Sequence, residues 1–164
     1  MRIGVIGPEA SGKSSLARYL AKRYKGTCVP EYAREYVERK GSTDISFDEL
    51  CEIARHQIEE MEVVNGLTAK RSGNEVVFFD TELIVTKVWF DYAFGKVPEW
   101  LEQAITRYPM DVYLLTFPDL PWTQDGTRYN GSDEKRLELF HRYEREIQAL
   151  DIPYYIITHE KSQA

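Results

Sequence analysis

Cysteine is scarce in this sequence, which excludes a fold held together by disulfide bonds. Cys28 and Cys51 are the two cysteines among 164 residues, and their separation does not match the spacing of metal-binding cysteine pairs. Cysteines of this kind are typical of a reducing compartment, where they serve as small buried apolar side chains. We therefore expect a cytoplasmic protein in which neither cysteine binds a metal.

Long hydrophobic runs are also missing. No apolar segment approaches the ~20 residues that a membrane-spanning helix needs. Met1 leads directly into a strand-like segment, residues 2–6, rather than into the apolar core of a signal peptide. We expect no association with a membrane.

The sequence has no excess of positive charge. Lysine and arginine number 21 against 27 aspartates and glutamates, which gives a formal net charge of −6. Binding to nucleic acid without sequence specificity needs a basic surface, so nucleic acid is not an expected partner. A small substrate, even a cationic one, fits this charge better than a polyanion.

What the sequence does contain is a phosphate-binding loop at residues 7–14, Gly-Pro-Glu-Ala-Ser-Gly-Lys-Ser. In this pattern the backbone N–H groups surround phosphate oxygens, Lys13 lies near the β- and γ-phosphates, and the Ser14 hydroxyl binds Mg²⁺. The loop stands between a strand and a helix, as this chemistry requires. We expect ATP and Mg²⁺ as cofactors, with ATP bound by Gly7, Glu9, Ala10, Ser11, Gly12, Lys13, Ser14 and Ser15.

Strands and helices alternate along the chain, which predicts an α/β fold with a parallel sheet. Strands are expected at 2–6, 27–29, 75–80, 111–116 and 152–158, and helices at 15–24, 31–39, 47–71, 81–92, 97–107 and after Ser132. The pattern predicts a single P-loop kinase domain over residues 1–164. Its architecture would be a P-loop NTPase three-layer sandwich with a central, mostly parallel five-stranded sheet and a helical lid, the lid loop lying at about 119–131.

Asp80 comes directly after the buried segment 76–79, at the end of a strand. Ligands of open α/β sheets bind at the carboxyl ends of the strands, and an acid in this position of a P-loop protein holds Mg²⁺. An aspartate after a strand is also a common N-cap of the following helix. Both roles stay open from the sequence.

Glu31 follows the second predicted strand and should lie beside the phosphates. A carboxylate there is placed to accept the proton of an attacking hydroxyl group. Glu35 lies a turn further along and is the weaker candidate for this base, whereas Arg34 would bind a phosphate or orient a carboxylate. The alternative is a set of exposed ion pairs on a helix.

Aromatic residues and an arginine complete the set of candidates. Trp89, Tyr92 and Trp122 could hold a flat and possibly cationic ring by stacking, although aromatic residues at helical spacing are more often part of a core. Arg128 lies in a glycine-containing loop that could close over the transferring phosphoryl group. The alternative is that Arg128 is an ordinary solvent-exposed arginine without a role in the reaction.

Several segments together resemble the ribosylnicotinamide kinase domain of the NadR-type bifunctional proteins of bacterial NAD salvage. The resemblance runs from about Arg2 to Thr158 and is carried by these segments in order: residues 7–14, Glu-Tyr-Ala-Arg-Glu-Tyr at 31–36, Asp-Thr-Glu-Leu at 80–83, Thr-Lys-Val-Trp at 86–89, Phe-Gly-Lys-Val-Pro at 94–98, Pro-Trp at 121–122, and Asp125-Gly126-x-Arg128. The ordered set is far more specific than the phosphate-binding loop alone.

The resemblance implies ATP-dependent phosphorylation of the 5′-hydroxyl of nicotinamide riboside, which yields nicotinamide mononucleotide. It implies that Gly12, Lys13 and Ser14 bind ATP and Mg²⁺, that Asp80 serves the metal or the substrate hydroxyl, and that Arg128 belongs to the lid. The expected substrate contacts are Glu31, Tyr32, Arg34, Trp89, Tyr92, Trp122 and Asp125. Two alternatives remain: a kinase of another nucleoside, and a nucleotide-binding switch that acts through a protein partner.

Overall fold

The computed structural model describes residues 1–70, 74–122 and 132–159. Within these residues five strands alternate with six helices. In chain order they are β1 (Arg2–Ile6), α1 (Lys13–Arg23), β2 (Thr27–Val29), α2 (Tyr32–Lys40), α3 (Phe47–Lys70), β3 (Val77–Asp80), α4 (Leu83–Phe94), α5 (Glu99–Arg107), β4 (Val112–Thr116), α6 (Asp133–Ala149) and β5 (Tyr154–Ile157). The predicted α/β alternation is confirmed.

The strands form one sheet in the order β2-β3-β1-β4-β5, and its four pairings are parallel. Val5 lies beside Asp80 on one side of β1, and Ile6 lies beside Leu115 on the other. The carboxyl ends of β1, β3 and β4 therefore meet at one edge of the sheet. Because the strand order reverses at β1, this edge has the crevice in which α/β sheets bind ligands.

Helices cover both faces of the sheet, which gives the predicted three layers. Side chains alternate along each strand, so neighbouring residues enter different faces. Val5 and Phe78 pack with Ala17 and Ala21 of α1. On the opposite face a larger core joins the sheet to the later helices, and its members include Ile6, Phe79, Leu115, Leu50, Leu83, Leu101, Leu139 and Tyr143.

Helix α3 begins at a reciprocal cap. The Ser46 hydroxyl accepts a hydrogen bond from the Glu49 N–H at 3.2 Å, and the Glu49 carboxylate accepts one from the Ser46 N–H at 2.8 Å. This satisfies two donors that the first turn of a helix leaves unpaired. Helix α6 also begins at a serine cap, where the Ser132 hydroxyl accepts a hydrogen bond from the Lys135 N–H at 3.2 Å.

The N-cap alternative for Asp80 is wrong. Helix α4 begins at Leu83, two residues later than predicted, and its N-cap is Glu82, whose carboxylate accepts from the Ile84 N–H at 3.0 Å. Thr81 turns the chain between strand and helix with φ of 69°, a left-handed conformation. Asp80 therefore lies at the carboxyl end of β3 and does not cap α4.

In the part of the chain that the structure describes, no helix has both the length and the apolar composition required to cross a membrane.

Candidate functional site

The phosphate-binding loop connects β1 to α1, and two of its glycines are required by the backbone. Gly7 has φ of 151°, and a Cβ atom there would lie 2.2 Å from the Thr116 Oγ1. Gly12 has φ of 82° and is the N-cap of α1, so no side chain covers the first turn of that helix. The uncovered N–H groups and the helix dipole form an anion-binding site.

Side chains inside the loop fix its shape. Lys13 Nζ donates to the Pro8 carbonyl at 2.7 Å, and the Ser11 hydroxyl donates to the same carbonyl at 2.6 Å. The Ser11 hydroxyl also lies 2.5 Å from that of Thr116 on β4. The Ser11 side chain therefore connects the loop to β4.

A fully buried arginine on α6 binds the backbone of the loop. Arg136 donates from Nε to the Glu9 carbonyl at 3.1 Å and from one terminal nitrogen to the carbonyls of Ala10 at 3.2 Å and Leu120 at 2.8 Å. Its other terminal nitrogen lies 3.2 Å from Asp133. The guanidinium group therefore joins the phosphate-binding loop to the segment after β4.

A cavity of about 540 Å³ opens beside the loop at the carboxyl ends of the strands. Loop residues form one wall, and residues of α2, α3 and α4 form the others. The candidates from the sequence that line it are Glu9, Ala10, Ser11, Gly12, Lys13, Ser14, Ser15, Glu31, Arg34, Glu35, Asp80 and Trp89. The structure thus brings the expected donor-binding residues together with both expected carboxylates.

Electrostatic interactions link the charged groups of the cavity. Burial lowers the pKa of Lys13, although the nearby carboxylates of Glu31 and Asp80 act in the opposite direction. Burial raises the pKa of Glu31, and the positive charge of Lys13 opposes that shift. Arg34 Nε lies 3.7 Å from the Glu31 carboxylate. Glu31 therefore has more affinity for a proton than an exposed glutamate, as a general base needs.

Two buried oxygens at the end of β3 have no hydrogen-bonding partner within the described ranges. They are Asp80 Oδ1 and Thr81 Oγ1, and their residues line the cavity. Burying a polar atom without a partner is unfavourable, so these oxygens fit a ligand that enters the cavity. A carboxylate with a nearby hydroxyl, such as that of Ser14, is a suitable oxygen donor set for Mg²⁺.

Across residues 1–70, 74–122 and 132–159, no group of three or more histidine, cysteine or acidic side chains is arranged to hold a metal ion. Protein sites for Mg²⁺ commonly use one or two carboxylates and take their other ligands from phosphates and water.

The expected aromatic cluster is only partly assembled at the cavity. Trp89 lines it and lies edge-to-face against Tyr92 with ring centroids 5.7 Å apart. As far as the described residues define the lining, Tyr32, Tyr92 and Trp122 are not part of it. The Tyr32 ring instead packs against the His56 ring, and the two ring centroids lie 3.5 Å apart.

Two candidates lie outside the described residues: Asp125 and Arg128. They belong to the segment 123–131, so the contacts expected of them stay predictions. The predicted lid loop of 119–131 is described only as far as Trp122.

A family model described as an AAA domain matches residues 2–163. The chain belongs to this family. Among curated proteins, this AAA domain is similar to the trifunctional NAD biosynthesis/regulator protein NadR of Escherichia coli (strain K12), with 29% identity over 139 residues. The match covers 83% of this chain and 33% of NadR. The chain therefore spans about a third of the length of the curated relatives it matches.

Solved structures extend the similarity to the fold. A crystal structure of NadR in complex with NR superposes with a TM-score of 0.73 at 22% identity and covers 99% of this chain and 45% of that one. A second NadR structure, with NAD and AMP-PNP, has the same TM-score at 23% identity and the same coverage. A deoxyadenosine kinase from M. mycoides has a TM-score of 0.60 at 15% identity and covers 96% of this chain and 90% of that one. The AAA domain has the fold of P-loop nucleoside kinases, and the resemblance to NadR-type proteins is confirmed.

Sequence reasoning missed Arg136, Glu82 and Thr81. Arg136 had a recognisable signal, because it shares a helical face with apolar residues that the structure buries: Leu139, Phe140, Tyr143 and Ile147. An arginine on such a face needs buried acceptors. Glu82 and Thr81 had no such signal, since their roles follow from the turn between β3 and α4.

Proposed function

We propose that the protein is a kinase that transfers the γ-phosphoryl group of ATP to the 5′-hydroxyl of nicotinamide riboside. One observation carries the proposal: Lys13, Glu31 and Asp80 line a single cavity beside an anion-binding loop. A P-loop kinase fold accounts for the nucleotide, whereas the choice of acceptor rests on the similarity to NadR.

The donor would lie on the phosphate-binding loop. Backbone N–H groups of the loop and of the first turn of α1 would bind the phosphate oxygens. Lys13 would add a positive charge close to the phosphoryl group that is transferred. Ser14 and Asp80 would hold Mg²⁺, which when bound neutralises charge that develops on the phosphates. The AMP-PNP complex of NadR supports ATP as the donor.

Glu31 would act as the general base. The substrate 5′-hydroxyl would give its proton to the Glu31 carboxylate while its oxygen forms a bond to the γ-phosphorus. The bond from that phosphorus to the bridging oxygen would break, and ADP would leave with both electrons of that bond. Arg34, 3.7 Å from the Glu31 carboxylate, would orient it.

Trp89 would supply the surface for the base of the nucleoside. Its indole lines the cavity, and the edge-to-face contact with the Tyr92 ring limits its rotation. A pyridinium ring carries a positive charge, and the face of an indole attracts cations. Trp122, Asp125 and Arg128 would join the site from the loop after β4, as the resemblance implies.

A substrate panel tests the acceptor. Purified protein with Mg-ATP is given nicotinamide riboside, adenosine, cytidine or deoxyadenosine, and ADP release and product mass are followed. We expect the highest kcat/KM with nicotinamide riboside and a product of the mass of its 5′-monophosphate. Trp89→Leu should raise KM for nicotinamide riboside, while Trp100→Leu, outside the cavity lining, is the matched control. Faster turnover of another nucleoside would refute the assignment.

A further inference from the structure

Arg136 is bound to the phosphate-binding loop in a way that core packing does not require. The residue has no exposed surface, and burying a guanidinium group is costly unless its donors are satisfied. The carbonyls of Glu9, Ala10 and Leu120 satisfy them. The carboxylate that also contacts it, Asp133, is 93% exposed and contributes little to holding the charge.

The two loop carbonyls determine where the adjacent N–H groups point. In a trans peptide the C=O and the following N–H are directed to opposite sides. Among the described residues Arg136 is not part of the cavity lining, so when it binds the Glu9 and Ala10 carbonyls, the N–H groups of Ala10 and Ser11 are turned away from it. Both of these residues line the cavity, so the bonds direct two donors toward a bound phosphate.

The backbone of Ala10 shows why such a restraint is needed. Its φ is 55°, in the left-handed region that residues other than glycine seldom adopt. A backbone in this region persists when its surroundings hold it there. The hydrogen bond from Arg136 to the Ala10 carbonyl is one such restraint, and it acts from a different part of the chain.

The shape of the guanidinium group suits this task. It is planar with donors in several fixed directions, so one side chain binds Glu9, Ala10 and Leu120 at once. A lysine ammonium at the same position is a compact donor and could not keep all three contacts. Leu120 lies after β4, so Arg136 also connects the loop with the start of the segment that leads to α6.

We infer that Arg136 is a positioning residue that holds the Ala10 and Ser11 N–H groups in the orientation that binds the phosphates of the donor nucleotide. The inference rests on the proposed function only in taking the donor to be a nucleoside triphosphate, and it is independent of the acceptor. Arg136 acts through the loop backbone, and the affinity for phosphate depends on it more than the affinity for the nucleoside does.

The test compares Arg136→Lys and Arg136→Met with Arg145→Lys and Arg145→Met, an exposed arginine on the same helix. Calorimetry measures the affinity for AMP-PNP with Mg²⁺ and, separately, for nicotinamide riboside. We expect both Arg136 variants to bind AMP-PNP roughly tenfold more weakly or worse, with KM for ATP raised and nucleoside affinity unchanged. The Arg145 variants should match the wild type. A folded Arg136→Lys protein with wild-type affinity for AMP-PNP would overturn the inference.

Thermal unfolding monitors whether the variants fold, and a measurement on the unaltered protein covers the case in which they do not. The Arg136 Nε–H resonance and the amide resonances of Ala10 and Ser11 should shift when AMP-PNP is added and stay in place when nicotinamide riboside is added. Equal responses to both ligands, or no response to AMP-PNP, would contradict the inference. If AMP-PNP binding depends on Arg136 but nicotinamide riboside is not phosphorylated, only the proposed acceptor fails.

Discussion

At the scale of residues, Glu31 is set apart from the other acids of α2 by its surroundings. It precedes the helix, lines the cavity and interacts with Lys13 and Arg34. Burial raises its pKa. Glu35, one turn further along, also lines the cavity but is exposed to solvent. These differences separate one plausible base from a neighbouring glutamate of the same type.

Glu31→Gln should lower kcat by about 10²–10⁴-fold while KM for the nucleoside changes little, because a missing base affects the reaction more than binding. As the pH is lowered, wild-type kcat should decrease when Glu31 becomes protonated. Since burial raises the pKa of Glu31, this decrease should occur at a higher pH than an exposed glutamate would give, and the variant should not show it. The measurement is kcat against pH. Glu35→Gln is the control, and a larger loss there would contradict the assignment.

The sequence predicts residues that a local motif defines, and it fails for residues that the fold brings in from elsewhere. The location of Lys13 and Asp80 beside the cavity was predictable from the strand–loop–helix pattern and from an acid at the end of a buried strand. The direction of the Ser11 hydroxyl depends on Thr116, more than 100 residues away. The contacts of Arg136 likewise depend on a distant loop.

At the scale of elements, α4 is anchored by a buried acid. Glu82 is 2% exposed and caps the helix, and burial raises its pKa to about 7 although hydrogen bonds from Ile84, Leu83 and Tyr113 act against the shift. The folded state therefore holds the proton more tightly than the unfolded chain does. The protonated Glu82 carboxyl group therefore contributes its full stabilisation of the folded state below pH 4.5. This contribution is lost as the pH rises through about 7.

Glu82→Gln should remove this pH dependence, because glutamine stays neutral. Relative to the variant, the wild type should lose up to roughly 3 kcal/mol of unfolding free energy as the pH rises from 4.5 to above 7. Urea unfolding at several pH values measures the difference. Glu99→Gln, exposed in the first turn of α5, is the control. Parallel stability profiles for the wild type and Glu82→Gln would contradict the account.

Most elements were predictable because each has a local signal. Hydrophobic runs and the Ser46–Glu49 cap mark the strands and the start of α3. The start of α4 was predicted two residues early because Thr81 adopts a left-handed turn. A threonine gives no warning of such a turn, and the tertiary structure determines it.

At the scale of the whole molecule, the sheet order explains why the candidates meet. Glu31 follows β2, Asp80 is the last residue of the neighbouring strand β3, and the phosphate-binding loop follows β1. The parallel fold with its three layers was predictable from alternation and the loop motif. Which aromatic residues reach the cavity was not, because Trp89 and Tyr92 lie on one helix and differ only in the face that packing assigns them.

We propose that this cavity transfers a phosphoryl group from ATP to a nucleoside. The most direct measurement follows the label of [γ-³²P]ATP in the presence of nicotinamide riboside. We expect the label to appear in nicotinamide mononucleotide. We also expect Lys13→Ala and Asp80→Ala, both still folded, to reduce transfer by at least about a thousandfold. Label released only as inorganic phosphate, or near wild-type transfer by either variant, would contradict the account.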